Sequence, residues 1–279
     1  MLKTRIITAV VLLAVLLPVL FLQYFPAFSV VVTLFVGAAM WEAARLFGLK
    51  FPRVFGIACA ALFVYLMDHA KPGAINSLFG VCVLLWVIRF TPSLGMGLPP
   101  LKGVANWTLG LTFSFSVFGC FFAIVALYLH SPVYLLSVMV LVWIADIGAY
   151  FSGKAFGKRK LAPSISPGKS WEGAIGGAIA VLVLASLSIL LSASGNLAPW
   201  LQDTFAVRLQ AHFGWALALL ILVIIVAASV VGDLFESQLK RRAAMKDSSN
   251  LLPGHGGVLD RIDALIPVLP LAALIGSWL

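Results

Sequence analysis

Acidic residues gather near the C-terminal end of this chain. Five of its ten acidic residues fall within 31 consecutive positions, and they are Asp233, Glu236, Asp247, Asp260 and Asp263. Asp233 directly follows the apolar run ILVIIVAASVVG, where a carboxylate is costly and indicates a functional site. Asp260 and Asp263 are three positions apart and can face one point. Together with Asp233 and Glu236, they predict oxygen ligands for a hard cation such as Mg²⁺.

A stripe of polar side chains precedes this acidic pair. Helical spacing places Asp233, Glu236, Ser237 and Lys240 on one face of a helix. The stripe offers two carboxylates, a hydroxyl and an amine. An ordinary helix end with long basic side chains explains Lys240 and Arg241, but it does not explain Asp233. We therefore predict catalytic roles for Asp233, Lys240 and Asp260.

A glycine-rich loop lies between the stripe and Asp260. Pro253, Gly254, Gly256 and Gly257 surround His255, which predicts a sharp, open turn. The backbone of such a turn can approach an anion closely. His255 is predicted to donate to a phosphate or to transfer a proton. The alternative is that the loop acts through its backbone alone.

The segment from Asp146 to Gly173 is rich in cations. It contains Lys154, Lys158, Arg159, Lys160 and Lys169. Such a loop attracts anions. The run GKS at 168–170 looks like the end of a Walker A loop, but Pro163 stands where that pattern needs a glycine. The plain alternative is a basic membrane-flanking loop followed by a helix cap.

The composition predicts the fold class in which these residues are positioned. The chain has 279 residues, of which 62% are hydrophobic and 10% charged, whereas soluble domains carry roughly 25% charged residues. Long apolar runs containing Gly and Pro predict an all-α fold, a polytopic membrane bundle rather than a barrel. Nine stretches are candidate spans: 6–22, 27–46, 54–68, 74–90, 107–129, 132–152, 173–194, 213–236 and 262–278.

The basic residues predict the orientation of this bundle. With a cytoplasmic N-terminus, the nine-span topology places all but two of the 19 lysines and arginines on the cytoplasmic side. The exceptions are Lys71 and Arg208. The net charge of +9 therefore reflects topology and anion binding, and we expect no nucleic-acid partner. We predict an integral protein of the cytoplasmic (inner) membrane whose active site faces the cytoplasm.

The chain divides by composition into two parts. Residues 1–130 are predicted to form N-terminal transmembrane helices. Residues 131–279 are predicted to form a transmembrane catalytic region with cytoplasmic loops at 153–171 and 240–261.

The run SQLKRRAAMKDSSNLLPGHGGVLDRID, from Ser237 to Asp263, resembles the signature of the phosphatidate cytidylyltransferases. That pattern reads S-x-L-K-R, four residues, K-D, a short spacer, P-x-H-G-G and D-R-x-D. The earlier stretches DIGAYFSGKAFG and ISPGKSWEG are also similar to family stretches, although Gly168 stands where a second lysine is common. The resemblance implies an enzyme that joins CTP and phosphatidate into CDP-diacylglycerol and pyrophosphate with Mg²⁺.

The resemblance also implies roles for individual residues. Asp233 and Asp260 are expected as the main metal ligands, with Asp263 and Glu236 in support. Predicted substrate-binding residues are Lys169, Ser166, Ser237, Arg241, Lys246, Arg261, Asp146 and Glu172. The alternative to a metal is a salt-bridge network in which Arg241 and Arg261 neutralise the acids. The implied partners are CTP, phosphatidate and the lipid bilayer, and a homodimer stays an open alternative to a monomer.

Two other functions compete with this interpretation. A CTP-dependent polyprenol kinase would share a nucleotide site and a multi-span body, but the complete signature favours the synthase. A membrane transporter or ion channel would place charges at mid-membrane depth and would show inverted repeats. Here the acids cluster at one predicted membrane face, and the sequence shows no repeat.

Overall fold

The computed structural model describes residues 2–193 and 199–279. Within them the chain forms eleven α-helices. These are α1 (Leu2–Phe21), α2 (Phe25–Leu46), α3 (Pro52–His69), α4 (Pro72–Leu85), α5 (Thr91–Met96), α6 (Val104–His130), α7 (Pro132–Phe156), α8 (Trp171–Ala193), α9 (Phe205–Arg242), α10 (Leu259–Ile262) and α11 (Leu265–Gly276). A π-helical turn, Trp86–Phe90, joins α4 to α5, and a 3₁₀ turn, Pro199–Asp203, precedes α9.

A small antiparallel hairpin joins α7 to α8. Its strands are β1 (Lys160–Ala162) and β2 (Ser166–Ser170), with Lys160 opposite Ser170. The all-α class predicted from composition is confirmed, and the hairpin is a local addition inside the predicted loop 153–171.

Six helical segments are long and apolar enough to cross a membrane, and this confirms a polytopic membrane protein. They are α2, the α4–α5 segment Pro72–Met96, α6, α7, α8 and α9. Each of the nine predicted spans falls on a helix, but α3, α11 and the fully described part of α1, Val10–Phe21, do not meet the same criterion of length and hydropathy, so the count of nine stays a prediction. Residue 194, the last of the predicted span 173–194, lies outside the described residues, as does residue 1.

Proline and glycine determine several helix boundaries. A proline occupies the first turn of α2, α3, α4 and α7, where its missing N–H costs nothing. Ser131 makes the tight turn between α6 and α7, and its side chain accepts a hydrogen bond from the N–H of Tyr134 at 3.4 Å. Within α9, Gly214 has a φ of 75° and breaks the helix close to the predicted start of span eight.

The helices that carry the polar loops are packed closely. Between α7 and α8 a Cβ atom at Gly177 would overlap the carbonyl oxygen of Ala145, so the two backbones lie in direct contact. Phe235 of α9 packs in an aromatic cluster. Its ring centroid lies 4.8 Å from that of Phe90 and 5.5 Å from that of Phe113. One continuous hydrophobic core contains residues from both 1–130 and 131–279, so the predicted N-terminal and C-terminal parts pack as one body.

Candidate active site

A cavity of about 460 Å³, lined by both charged and apolar side chains, lies between α7, the hairpin, α8 and α9. Four residues predicted from the sequence line it: Asp146 on α7, Ser166 and Lys169 on β2, and Asp233 on α9. Lys154 contributes a further cation. The cavity therefore joins the basic segment to Asp233 of the acidic stripe, whereas no residue of the predicted span 262–278 lines it.

Asp233 is the central acid of this cavity. Its carboxylate forms an ion pair with the ammonium group of Lys169, which ties the hairpin to α9. The Ser237 hydroxyl donates to Asp233 Oδ1 at 3.3 Å. The negative charge of Asp233 also acts on both Asp146 and Asp263, so Asp233 repels each of these two carboxylates.

A second cluster lies further along α9, around Lys240. The Lys240 ammonium group contacts the carboxylate of Glu236, and it donates to Asp260 Oδ1 at 2.6 Å. The side chains of Glu236 and Asp260 are only 1% and 4% exposed, so Lys240 bridges two buried acids. Neither Glu236 nor Lys240 lines the cavity around Asp233. The structure therefore places the predicted stripe in two neighbouring clusters.

Asp260 organises the loop that precedes it. Its Oδ2 atom accepts the N–H of Ser248 at 2.8 Å, the hydroxyl of Ser248 at 2.8 Å and the N–H of Gly257 at 2.7 Å. Burial raises the pKa of Asp260, but the hydrogen bond from Lys240 and the Gly257 N–H outweigh it, so the pKa is lowered from its ordinary value. Asp260 is therefore ionised and holds the loop from within.

The base of the hairpin is held by residues that open α8. The Ser170 hydroxyl accepts the N–H of Gly173 at 3.1 Å, which confirms the predicted helix cap. The Glu172 carboxylate accepts the N–H groups of Lys158 and Arg159, each at 3.1 Å. Glu172 does not line the cavity, and its hydrogen bonds position the hairpin that carries Lys169.

Other predicted site residues lie around this centre without lining the cavity. Arg241, Lys246 and Arg261 are exposed. His255 is half-buried in a turn closed by the hydrogen bond from its N–H to the carbonyl of Leu252 at 2.8 Å. Its buried Nδ1 atom has no hydrogen-bond partner among the described residues. The structure thus confirms the sharp turn, while the proposed donor role of His255 stays a prediction.

The sequence interpretation missed one buried acid, Glu42 on α2. This residue is fully buried, and its carboxylate accepts hydrogen bonds from the loop around residues 248–259. The available signal was a single acid within the apolar stretch VGAAMWEAARLF. In the sequence that residue looks like an ordinary helix end beside Arg45.

The positions of the acidic side chains bear on which of them could bind the predicted Mg²⁺. Within residues 2–193 and 199–279, no three His, Cys, Asp or Glu side chains converge as a ready-made metal centre. Mg²⁺ usually takes one or two protein carboxylates together with substrate phosphates. Asp233 suits that coordination, because it lines the cavity and already binds a cationic lysine side chain. Glu236 and Asp260 are both buried against Lys240 and lie outside this cavity, so each would have to exchange its contact with Lys240 for a metal ion.

Comparison with known proteins places the chain in a family. The model of the cytidylyltransferase family matches residues 3–279. A phosphatidate cytidylyltransferase from Pseudomonas aeruginosa is 41% identical over 98% of this chain and 96% of its own length. One from Haemophilus influenzae is 39% identical over 97% and 96% of the two chains, and one from Bacillus subtilis is 40% identical over 50% and 46%. These matches confirm the resemblance seen in the signature, and the chain belongs to the cytidylyltransferase family.

Proposed function

We propose that this chain transfers a cytidylyl group from CTP to phosphatidate and produces CDP-diacylglycerol and pyrophosphate. The observation that carries the proposal is the near full-length match to relatives named for that activity, from Pseudomonas aeruginosa and Haemophilus influenzae. The position of the cavity around Asp233 supports it. The cavity lies at one end of α7, α8 and α9, three helices apolar enough to cross a membrane, so a lipid headgroup and a soluble nucleotide can reach it from different sides.

The charges of the cavity suit two anionic substrates. CTP and phosphatidate repel each other, and Lys169 and Lys154 would offset that repulsion from the hairpin side and from α7. Ser166 lies beside them on β2 and would donate to a phosphate oxygen. The exposed residues Arg241 and Lys246 would attract the substrates to this end of the protein.

The proposed reaction needs no nucleophilic side chain. A phosphate oxygen of phosphatidate attacks the α-phosphorus of CTP, the new P–O bond forms, and the α–β bond breaks to release pyrophosphate. Catalysis by the protein then consists of aligning the two phosphates and stabilising their charge. Lys169 would release Asp233 in order to contact phosphate, which links substrate binding to a movement of the hairpin.

We propose Mg²⁺ as the cofactor, with Asp233 and Asp260 as the main ligands and Asp263 close by. Its role when bound is to neutralise phosphate charge and to orient the triphosphate. The cation already bound by each of the two aspartates supports this assignment. Asp146 is a further candidate, because it lines the same cavity as Asp233.

The proposed location is the cytoplasmic (inner) membrane, with the cavity on the cytoplasmic side. The distribution of basic residues in the sequence supports this orientation. A homodimer is a further prediction, and cross-linking of the protein in native membranes would test it.

The decisive experiment is an assay of the purified protein with CTP, phosphatidate and Mg²⁺, following CDP-diacylglycerol and pyrophosphate together. We expect both products in equal amounts and none after chelation of the metal. A polyprenol in place of phosphatidate tests the kinase alternative, and Asp233→Asn controls for contaminating enzymes. Phosphorylation of the polyprenol without conversion of phosphatidate would overturn the proposal.

A further inference from the structure

Glu42 is the buried acid on α2 that the proposed reaction leaves without a role. It is 0% exposed, in a helix that is otherwise apolar enough to cross a membrane. A carboxylate in such a place is retained only if it is paired or hydrogen-bonded. Within the described part of the chain, its hydrogen-bond donors come from a single loop more than 200 positions later.

The Glu42 carboxylate accepts four hydrogen bonds from that loop. Oε1 accepts the hydroxyl of Ser249 at 2.5 Å and the N–H of Val258 at 3.0 Å. Oε2 accepts the N–H of Leu259 at 2.7 Å and the hydroxyl of Ser248 at 3.1 Å. Leu259 is the first residue of α10 and Val258 directly precedes it, and Val258 makes no side-chain cap hydrogen bond. Glu42 therefore caps α10 from another helix.

The same loop is held from its other side by Asp260. The N–H of Gly257 points to Asp260, while the next two N–H groups along the chain point to Glu42. The Ser248 hydroxyl lies between the two acids, 3.1 Å from Glu42 and 2.8 Å from Asp260, and its one proton can serve only one of them at a time. Arg45, one turn beyond Glu42, donates to the carbonyl of Ser248 at 3.0 Å.

Gly257 lies in close contact with the side chains that join α2 to the loop. A Cβ atom at Gly257 would overlap both the Ser248 hydroxyl and the Glu42 carboxylate, so a larger residue would displace these side chains. The glycine-rich turn is therefore shaped to meet an acid from the N-terminal part of the chain.

We infer that Glu42 is a positioning residue for the reaction: it fixes the loop 248–259 through its hydroxyl and N–H groups, and it thereby sets the direction of Asp260 towards Lys240. This inference rests on the proposed function, because Asp260 matters there as a ligand of the metal and its triphosphate. Glu42 itself does not line the cavity around Asp233.

The test is Glu42→Gln. This variant keeps the shape of the side chain, but its NH₂ group replaces one of the two accepting oxygens and faces loop groups that also donate. Loss of residues that orient metal ligands typically lowers activity about 10–100-fold. We expect that loss in kcat per folded molecule, with a smaller change in the KM for CTP. Hydrogen exchange should accelerate at the amides of Val258 and Leu259 and stay unchanged in α7 and α8. The matched control is Asp68→Asn, which neutralises an exposed acid on α3 and should leave both measurements as in the wild type.

A milder variant guards against misfolding of the first. Ser249→Ala removes one donor to Glu42, and it should lower kcat in the same direction by less. The two variants combined should lose less than the sum of the single losses, because the side chains are in direct contact. Wild-type kcat and unchanged exchange in Glu42→Gln would overturn the inference, and so would exchange that accelerates equally in every helix. The exchange measurement does not require the reaction, so it decides the loop contact even if the wild type proves inactive with phosphatidate.

Discussion

Replacing Lys240 by methionine would separate the structural role of this lysine from its catalytic one. Methionine keeps the apolar stem and removes the ammonium group that Glu236 and Asp260 share. Asp260 would retain its donors from Ser248 and Gly257. Neither oxygen of Glu236 has a hydrogen-bond partner among the described residues apart from its ion pair with Lys240. Because mainly one buried acid, Glu236, is left without its partner, we expect the free energy of unfolding to decrease by about 3 kcal/mol. This is the lower end of the range for breaking a buried pair.

The assay is denaturant unfolding in mixed micelles, with turnover measured on the same preparations. Glu236→Gln combined with Lys240→Met removes the uncompensated acid and should restore most of the lost stability. Turnover should stay low in both variants, because Lys240 is also predicted to have a catalytic role. Lys246→Met, at an exposed lysine, should change the unfolding free energy by no more than about 0.5 kcal/mol. The reasoning fails if Lys240→Met is as stable as the wild type, or if the double variant is no more stable than the single one.

Three further predictions concern the metal, pH and topology. Asp233→Asn and Asp260→Asn should each lower turnover by orders of magnitude, still insert in the membrane, and shift the dependence of initial rate on Mg²⁺; near-normal turnover with an unshifted curve would place the metal elsewhere. Because the folded pKa of Asp260 is lowered, its contribution to stability is fully present above its ordinary value of 3.8 and is lost as the pH falls through the folded value. The thermal unfolding temperature of the wild type should therefore fall more steeply at acidic pH than that of Asp260→Asn. Parallel pH profiles of the two proteins would contradict this. A reporter fused after Leu279 should read outside the cytoplasm, and the loop 153–171 should resist protease in intact cells.

Hydropathy was sufficient to predict the helices. Apolar stretches of this length must satisfy their backbone hydrogen bonds internally, so each predicted span became a helix whatever packs beside it. The cap at Ser170 and the turn at Ser131 were also predictable, because both depend on residues within three positions of each other. These features could be predicted from the sequence because each depends on residues that are close together in the chain.

The site contacts were harder to predict because they join distant segments. The sequence indicated Asp233, Lys240 and Asp260, but not that Lys169 would pair with Asp233. The hairpin was missed because the five residues of β2, SPGKS, have the composition of a loop, and pairing across a short turn stabilises them. Glu42 was missed because its partners lie 206–217 positions away. A periodicity argument cannot identify contacts over such separations.

The contacts of Glu42 also set an order of events during biosynthesis. When α2 enters the membrane, the residues that will donate to this carboxylate have not been translated. Synthesis of the intervening 206 residues takes at least about 10 s at 5–20 residues per second. Until the loop arrives, the Glu42 carboxyl lacks the four donors that hold it in the folded protein. A chain truncated before residue 248 would keep that acid permanently unpaired, which distinguishes an unfinished protein from a finished one at the level of a single side chain.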